Sequence, residues 1–255
     1  MSSKVLVSKA DGVLELTLNR PEKKNALDIE MYDALTEALL DGLADPTVRA
    51  VLFLGAGGAF TSGNDLVDFM QSPPTSETSP VMRFLSTIAS YPKPMVAAVQ
   101  GAAVGLGTTL LLHCDLAYAS ETALFKMPFV QLGLVPEAGS SLLVPALVGH
   151  RRATELLLLG EKFGADEALR MGFVNAVVPT AELAATARAA AARFGALPPE
   201  AVRQTKALLR AAFPGLKETL SREGETFIGR LKSPETAEAI TAFLEKRAPD
   251  FSRFA

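Results

Sequence analysis

The sequence is short of the residues that disulfide, metal and polyanion chemistry require. It has one cysteine, Cys114, which has no partner for an intrachain disulfide. That cysteine sits in an apolar run, LLLHCDLAYA, where a small buried residue is expected. There are two histidines, His113 and His150, and neither stands at metal-ligand spacing from Cys114 or a carboxylate cluster. No metal site is expected. His113 abuts an apolar helix end and His150 sits beside Arg151 and Arg152, so neither is assigned a catalytic role. The 25 Lys and Arg are outnumbered by 28 Asp and Glu, a net charge of -3. That leaves no basic excess to hold a nucleic acid, although a few local cations can still hold a phosphorylated cofactor.

Long uninterrupted apolar runs are missing too. The longest, Met95 to Leu112, contains Gln100, Gly101, Gly105 and Gly107 and reads as strand, turn and helix, so no membrane span is expected. MSSKVLVSKADG lacks the basic-then-apolar layout of a leader, and the terminal SRFA is not the peroxisomal tripeptide. The expected location is cytoplasmic. The Gly-rich turns Gly55 to Gly58 and Gly101 to Gly107 fail the dinucleotide fingerprint, and neither a P-loop nor a Gly-x-Ser-x-Gly elbow occurs.

What is present is an ordinary globular composition, 49% hydrophobic and 21% charged, in a chain long enough for one large domain and a small appendage. Val13 to Leu18 alternates as a half-buried strand, with Leu14, Leu16 and Leu18 on one face. From Asp28, a suitable N-cap, Met31, Leu35, Ala38 and Leu39 recur at helical spacing. Val48 to Leu54, Pro94 to Val99, Asp115 to Ala119 and Ala123 to Lys126 read as strands, and Met82 to Tyr91, Gly105 to Leu112 and Glu137 to Leu147 as helices. Short strands alternating with helices predict an α/β arrangement with buried strands. The segment Gln71 to Pro80, QSPPTSETSP, predicts a surface loop over or beside a pocket.

After about Ala165 the pattern is almost wholly helical: Asp166 to Met171, Ala181 to Arg193, Pro199 to Ala212, Leu216 to Leu231 and Pro234 to Lys246, with Val174 to Val178 the one strand candidate. The expected division is a mixed core over residues 1–195 and a helical region over 196–255. Phe227, Ile228, Leu231, Ala237, Ile240, Phe243 and Leu244 exceed what such short helices bury alone, so subunit contacts are expected, with packing back onto the core as the alternative.

Two Gly-rich segments, GGAFTSGNDL and GAAVGLGTTLLL, can aim backbone N–H groups at one point because glycine permits close approach. Two such donors make an oxyanion hole. The following MPFVQLGLVPEAGSS delivers one carboxylate, Glu137, and together these features suggest an enzyme that forms a thioester enolate.

LNRPEKKNALDIEMYDAL, VLFLGAGGAFTSGNDL, KPMVAAVQGAAVGLGTTLLLHCDLAYAS, MPFVQLGLVPEAGSS and AFLEKR occur in the order and spacing of the crotonase (enoyl-CoA hydratase/isomerase) superfamily, and the resemblance covers essentially the whole chain. It implies a spiral of ββα repeats, a helical C-terminal trimerisation region, a homotrimer or hexamer, and acyl-CoA thioester substrates in which coenzyme A is the carrier. No redox or metal cofactor is implied. The resemblance selects the backbone N–H groups of Asn64 and Leu106 as oxyanion donors. For the CoA moiety it points to Lys24, Ala26, Gly63, Asp65 and Leu66, and to Lys246 and Phe251.

The two glutamates that position water in the better-known hydratases fall by motif on Thr109 and Phe129. Neither is a carboxylate base, and Phe129 makes that corner poor for an ordered water. Glu137 instead matches the single acid/base of the Δ3,Δ2-enoyl-CoA isomerase branch; stabilising a helix N-terminus behind Pro136 is its alternative role. A pocket lined by Phe129, Val130 and Leu132, with Thr109, is expected to raise its pKa by desolvation. The implied reaction moves a double bond from C3 to C2 in fatty acid degradation. A hydratase or other acyl-CoA lyase using Glu137 alone and a non-catalytic acyl-CoA-binding oligomer remain as alternatives.

Overall fold

The computed structural model describes residues 3–254; Met1, Ser2 and Ala255, in the two terminal segments read above, lie outside the described residues. A hairpin opens the chain, β1 (Val5–Ala10) and β2 (Val13–Leu18), followed by α1 (Ile29–Ala44), β3 (Ala50–Gly55), α2 (Leu66–Gln71) and α3 (Pro80–Ser90). Next come β4 (Met95–Val99), β5 (Ala102–Val104), α4 (Leu106–Thr109), β6 (Leu116–Ser120) and β7 (Leu124–Lys126). The later part contains α5 (Ser140–Val148), α6 (His150–Thr154), β8 (Phe163–Gly164), α7 (Ala165–Met171), β9 (Ala176–Val178), α8 (Thr180–Arg193), α9 (Pro199–Arg210), α10 (Leu216–Leu231) and α11 (Pro234–Leu244).

The strands form two sheets, ordered β1-β2-β3-β4-β6-β9 and β5-β7-β8. The larger is parallel from β2 onward, and β1 pairs antiparallel with β2. From β4 to β7 successive strands alternate between sheets, with β4 and β6 in the large one and β5 and β7 in the small one. The chain therefore climbs as the expected α/β spiral of ββα turns. Both faces of the large sheet are covered, as parallel strands require. On one side Leu14, Leu16, Val51 and Phe53 pack with Met31, Leu35, Phe84 and Ile88. On the other, Leu52, Leu54, Val96 and Ala98 meet Leu183, Ala187 and Ala191 of α8.

Local chemistry explains the element ends. Asp28 caps α1, accepting from Met31 N at 3.0 Å, as its position predicts. The strand expected over Val48 to Leu54 starts at Ala50, because Val48 N–H closes a turn onto Asp45 O. The helix expected from Glu137 starts at Ser140. Ala138 (φ 60°) and Gly139 (φ 71°) lie in the left-handed region, which a right-handed helix cannot contain. The helix α2 and the strand β1 carry no strong periodic signal and were not expected.

The C-terminal helices bury part of their apolar surface on their own chain. Phe227 and Ile240 are 2% and 3% exposed, whereas Phe243 and Leu244 remain 62% and 48% exposed. Phe227 meets Phe69 of α2 edge to face at 6.1 Å, and Arg230 Nε donates to Gly133 O at 2.8 Å. These contacts place α10 and α11 over the mouth of the site. The loop after α2 holds Pro73 and Pro74 against Tyr32 and Phe69 around a side cavity of about 200 Å³.

Candidate active site

A cavity of about 650 Å³ lies between the segment 62–67, the β7 end with the short turn after it, and helices α10 and α11. Its two Gly-rich walls touch. Gly63 has φ +87°, and a Cβ there would lie 2.7 Å from Val104 O, so no other residue lets the two segments approach this closely. The approach brings Asn64 and the start of α4 together. Neither Asn64 N–H nor Leu106 N–H has an acceptor among the described residues. Asn64 and Gly105 line the cavity, while the Leu106 side chain turns into the core at 1% exposure and leaves only its amide for chemistry.

Behind this wall lies Glu137, 3% exposed and outside the cavity lining. Thr109 Oγ1 donates to Glu137 Oε1 at 2.8 Å. Oε2 takes no donor from the described residues; since none of them holds a buried side-chain oxygen without a partner, Oε2 keeps accessible surface. Burial pushes the Glu137 carboxyl up to about 7 against the Thr109 hydrogen bond, and the charge of Glu223 adds to the rise. A carboxyl poised there exchanges protons readily near neutral pH.

Tyr32, from the buried face of α1, donates its hydroxyl to Asn64 Oδ1. Its pKa is raised well above the usual phenol range by burial, then by the charges of Glu137 and Asp68. Tyr32 therefore stays a hydrogen-bond donor and fixes the Asn64 side chain. It was legible only as core, one position along from the Met31 and Leu35 stripe.

The residues selected from the sequence fall into two groups. Ala26, Gly63, Asn64, Asp65, Leu66, Phe129 and Leu132 line the cavity together. Thr109 and Glu137 form a buried pair behind it, and Val130 is 41% exposed on the outer surface. Lys24, Lys246 and Phe251 are not among the lining residues; Lys23, Lys126 and Arg247 are. Lys24 adopts φ 50° in a tight turn that carries its neighbour, not itself, toward the cavity. Arg247 is tied to Glu238 at 2.6 Å, whereas Lys23 and Lys126 make no ion pair among the described residues.

His113 and Cys114 serve structure. Burial lowers His113 to about 4, so the ring is neutral and its Nε2–H donates to Ala138 O at 2.7 Å. Burial pushes the Cys114 thiol up to about 12, which leaves it unreactive. Among the described residues no group of His, Cys, Asp and Glu could hold a metal ion, and no helix is long and apolar enough to cross a membrane.

The sequence profile of the enoyl-CoA hydratase/isomerase family matches residues 8–253. Enoyl-CoA delta isomerase 2 of Rattus norvegicus is 37% identical over 256 residues, covering 96% of this chain; the chain spans only 64% of that relative's length. The 1,2-epoxyphenylacetyl-CoA isomerase of Escherichia coli K12 is 37% identical, with 94% of this chain and 95% of the relative covered. The solved structure of Pseudomonas aeruginosa OdaA superposes with a TM-score of 0.93 at 48% identity, covering 95% of this chain and 99% of that one.

Proposed function

The chain belongs to the enoyl-CoA hydratase/isomerase family, and from that premise we propose that it isomerises 3-enoyl-CoA to 2-enoyl-CoA with Glu137 as a single proton shuttle. The observation that carries this reading is Glu137 itself. It is a buried carboxyl held at about 7, with one oxygen fixed by Thr109 and the other accessible.

The chemistry needs one base on one face of the substrate. Ionised Glu137 takes the C2 proton, the thioester oxygen gathers the charge of the dienolate, and the protonated acid returns the proton to C4. No water enters. The Asn64 and Leu106 amides, without acceptors among the described residues, are the donors for the developing oxyanion, each contributing about 3 kcal/mol to the lowered barrier. The position of Leu106 as the first residue of α4 adds the positive end of that short turn.

Hydration by two carboxylates lacks its residues. Thr109 and Phe129 stand where the resemblance places those glutamates, Thr109 is spent holding Glu137, and Phe129 is 5% exposed and apolar. The carrier end of the substrate would lie toward Lys23 and Lys126, whose ammonium groups, without an ion pair among the described residues, suit CoA phosphates. The exposed Phe243 and Leu244 beside the cavity fit a subunit interface in a trimer or hexamer.

Purified protein incubated with 3-enoyl and 2-enoyl thioesters of several lengths, with products identified by mass and absorbance, tests the reading. Isomerisation of the 3-enoyl thioester without mass gain is expected. A product heavier by one water from the 2-enoyl thioester, with no isomerisation, would replace the isomerase by a hydratase.

A further inference from the structure

The acid sits on a turn that is costly to make. Ala138 has φ 60° and Gly139 φ 71°, and the left-handed alanine alone costs roughly 1 kcal/mol or more. Such a conformation persists only where its surroundings impose it, and four groups do so. His113 holds Ala138 O; Ser140 N and Oγ hold Glu137 O at 3.0 and 2.6 Å; and the carboxylate of Glu223 takes the next two free amides. Gly139 N donates to Glu223 Oε2 at 2.6 Å and Ser141 N to Oε1 at 2.8 Å.

Glu223 comes from α10, more than eighty residues further along the chain. Gly139, at the N-cap of α5, has no side chain to cap the helix, so Glu223 supplies the cap from outside. Leu216 of the same helix closes over the turn, since a Cβ on Gly139 would lie 2.5 Å from its Cδ1. Glu223 is buried at 7% exposure and makes no ion pair among the described residues. A structural carboxylate of that kind is costly unless its position is needed.

We propose that Glu223 is a positioning residue for Glu137: by gripping the Gly139 and Ser141 amides it fixes the strained turn that aims the acid, and it makes α10 part of the active site. The proposal rests on the reading of Glu137 as the acid. Glu223 acts in a second way through its charge, which faces Glu137 and opposes its ionisation. The other ionisable groups around the turn are Tyr32 of α1, neutral His113, and Arg222 beside Glu223, with Arg210 and Lys206 beyond His113.

The test follows the Glu137 carboxyl by infrared titration, taken as the difference between a protein and its Glu137→Gln counterpart, beside kcat and KM on a 3-enoyl thioester. In Glu223→Gln the titration midpoint should fall, because a neighbouring negative charge is gone. The value of kcat should fall about tenfold or more as the turn loosens, with KM little changed. Glu223→Asp keeps the charge but shortens the reach, so kcat should fall while the midpoint stays near that of the parent. Should Glu223→Gln not fold, Glu223→Asp decides: full turnover there overturns the positioning. An unmoved midpoint and unchanged kcat in folded Glu223→Gln overturn it equally. A midpoint that moves in a protein with no isomerase activity upholds Glu223 and removes the isomerase reading instead.

Discussion

The two ends of the cavity are built on opposite principles. Beyond the inner end, behind the Gly-rich wall, Glu137 is 3% exposed, hydrogen-bonded to Thr109 and carried on a turn held by His113, Ser140 and Glu223. At the outer end Lys23 is exposed and, like Lys126, makes no ion pair among the described residues. Position is imposed at the first end and left free at the second. A reaction centre needs its groups fixed before the substrate arrives, since reorganisation during the reaction would raise the barrier. A flexible phosphate-bearing carrier needs only positive charge within reach.

Four measurements break or sharpen that contrast. Glu137→Gln should lower kcat on a 3-enoyl thioester about a thousandfold, with thioester affinity largely kept, because the amide retains the shape and loses the base. Turnover equal to the parent would remove Glu137 from the mechanism. The same variant should be more stable than the parent at high pH. A carboxyl at about 7 in the fold and near 4.5 when unfolded costs little at pH 4, where both states are mostly protonated. The cost grows as pH rises between those values and is complete above 7, at roughly 3 kcal/mol. Denaturant midpoints of parent and variant compared at pH 4 and pH 8 should therefore diverge only at pH 8.

Gly63→Ala tests the junction of the two walls. The new methyl would meet Val104 O in a backbone with φ +87°, and the displaced Asn64 amide should cost about a hundredfold in kcat/KM. At the outer end the effect should be smallest. Lys126→Ala should raise KM only a few-fold, leave kcat alone, and lose its effect as salt is added, the behaviour of a partly exposed charge. An effect of Lys126→Ala on kcat as large as that of Gly63→Ala would mean that the outer end is preorganised too.

Much of this was legible in the chain. The alternation at Val13 to Leu18, the cap and stripe from Asp28, and the helices at 180–193 and 216–231 follow from periodicities that tertiary packing does not override. The Gly-rich walls were legible because glycine at those positions has a backbone reason. Misreadings occurred where the backbone departs from its local preference. Alanine gives no sign that Ala138 is left-handed, so a helix was expected through it. Lys24 and Lys23 are indistinguishable in the sequence, and only the folded turn places Lys23 along the cavity and Lys24 off its lining. Glu223 did leave a trace, as a charge spaced by four from both Thr219 and Phe227 on the buried stripe of α10, but a carboxyl on an apolar face does not name its partner.

By itself the sequence determined the order of strands and helices, the Gly-rich walls and the presence of a carboxyl at position 137, the acid proposed above, because these depend on local backbone preference and on which side chains exist. Only the tertiary structure decided that the acid is buried with one oxygen held by Thr109, that Tyr32 fixes Asn64, and that a helix from the far end of the chain clamps the turn. Those are meetings between residues distant in sequence, and the energies involved, desolvation and charge opposition, exist only once the chain has closed around them.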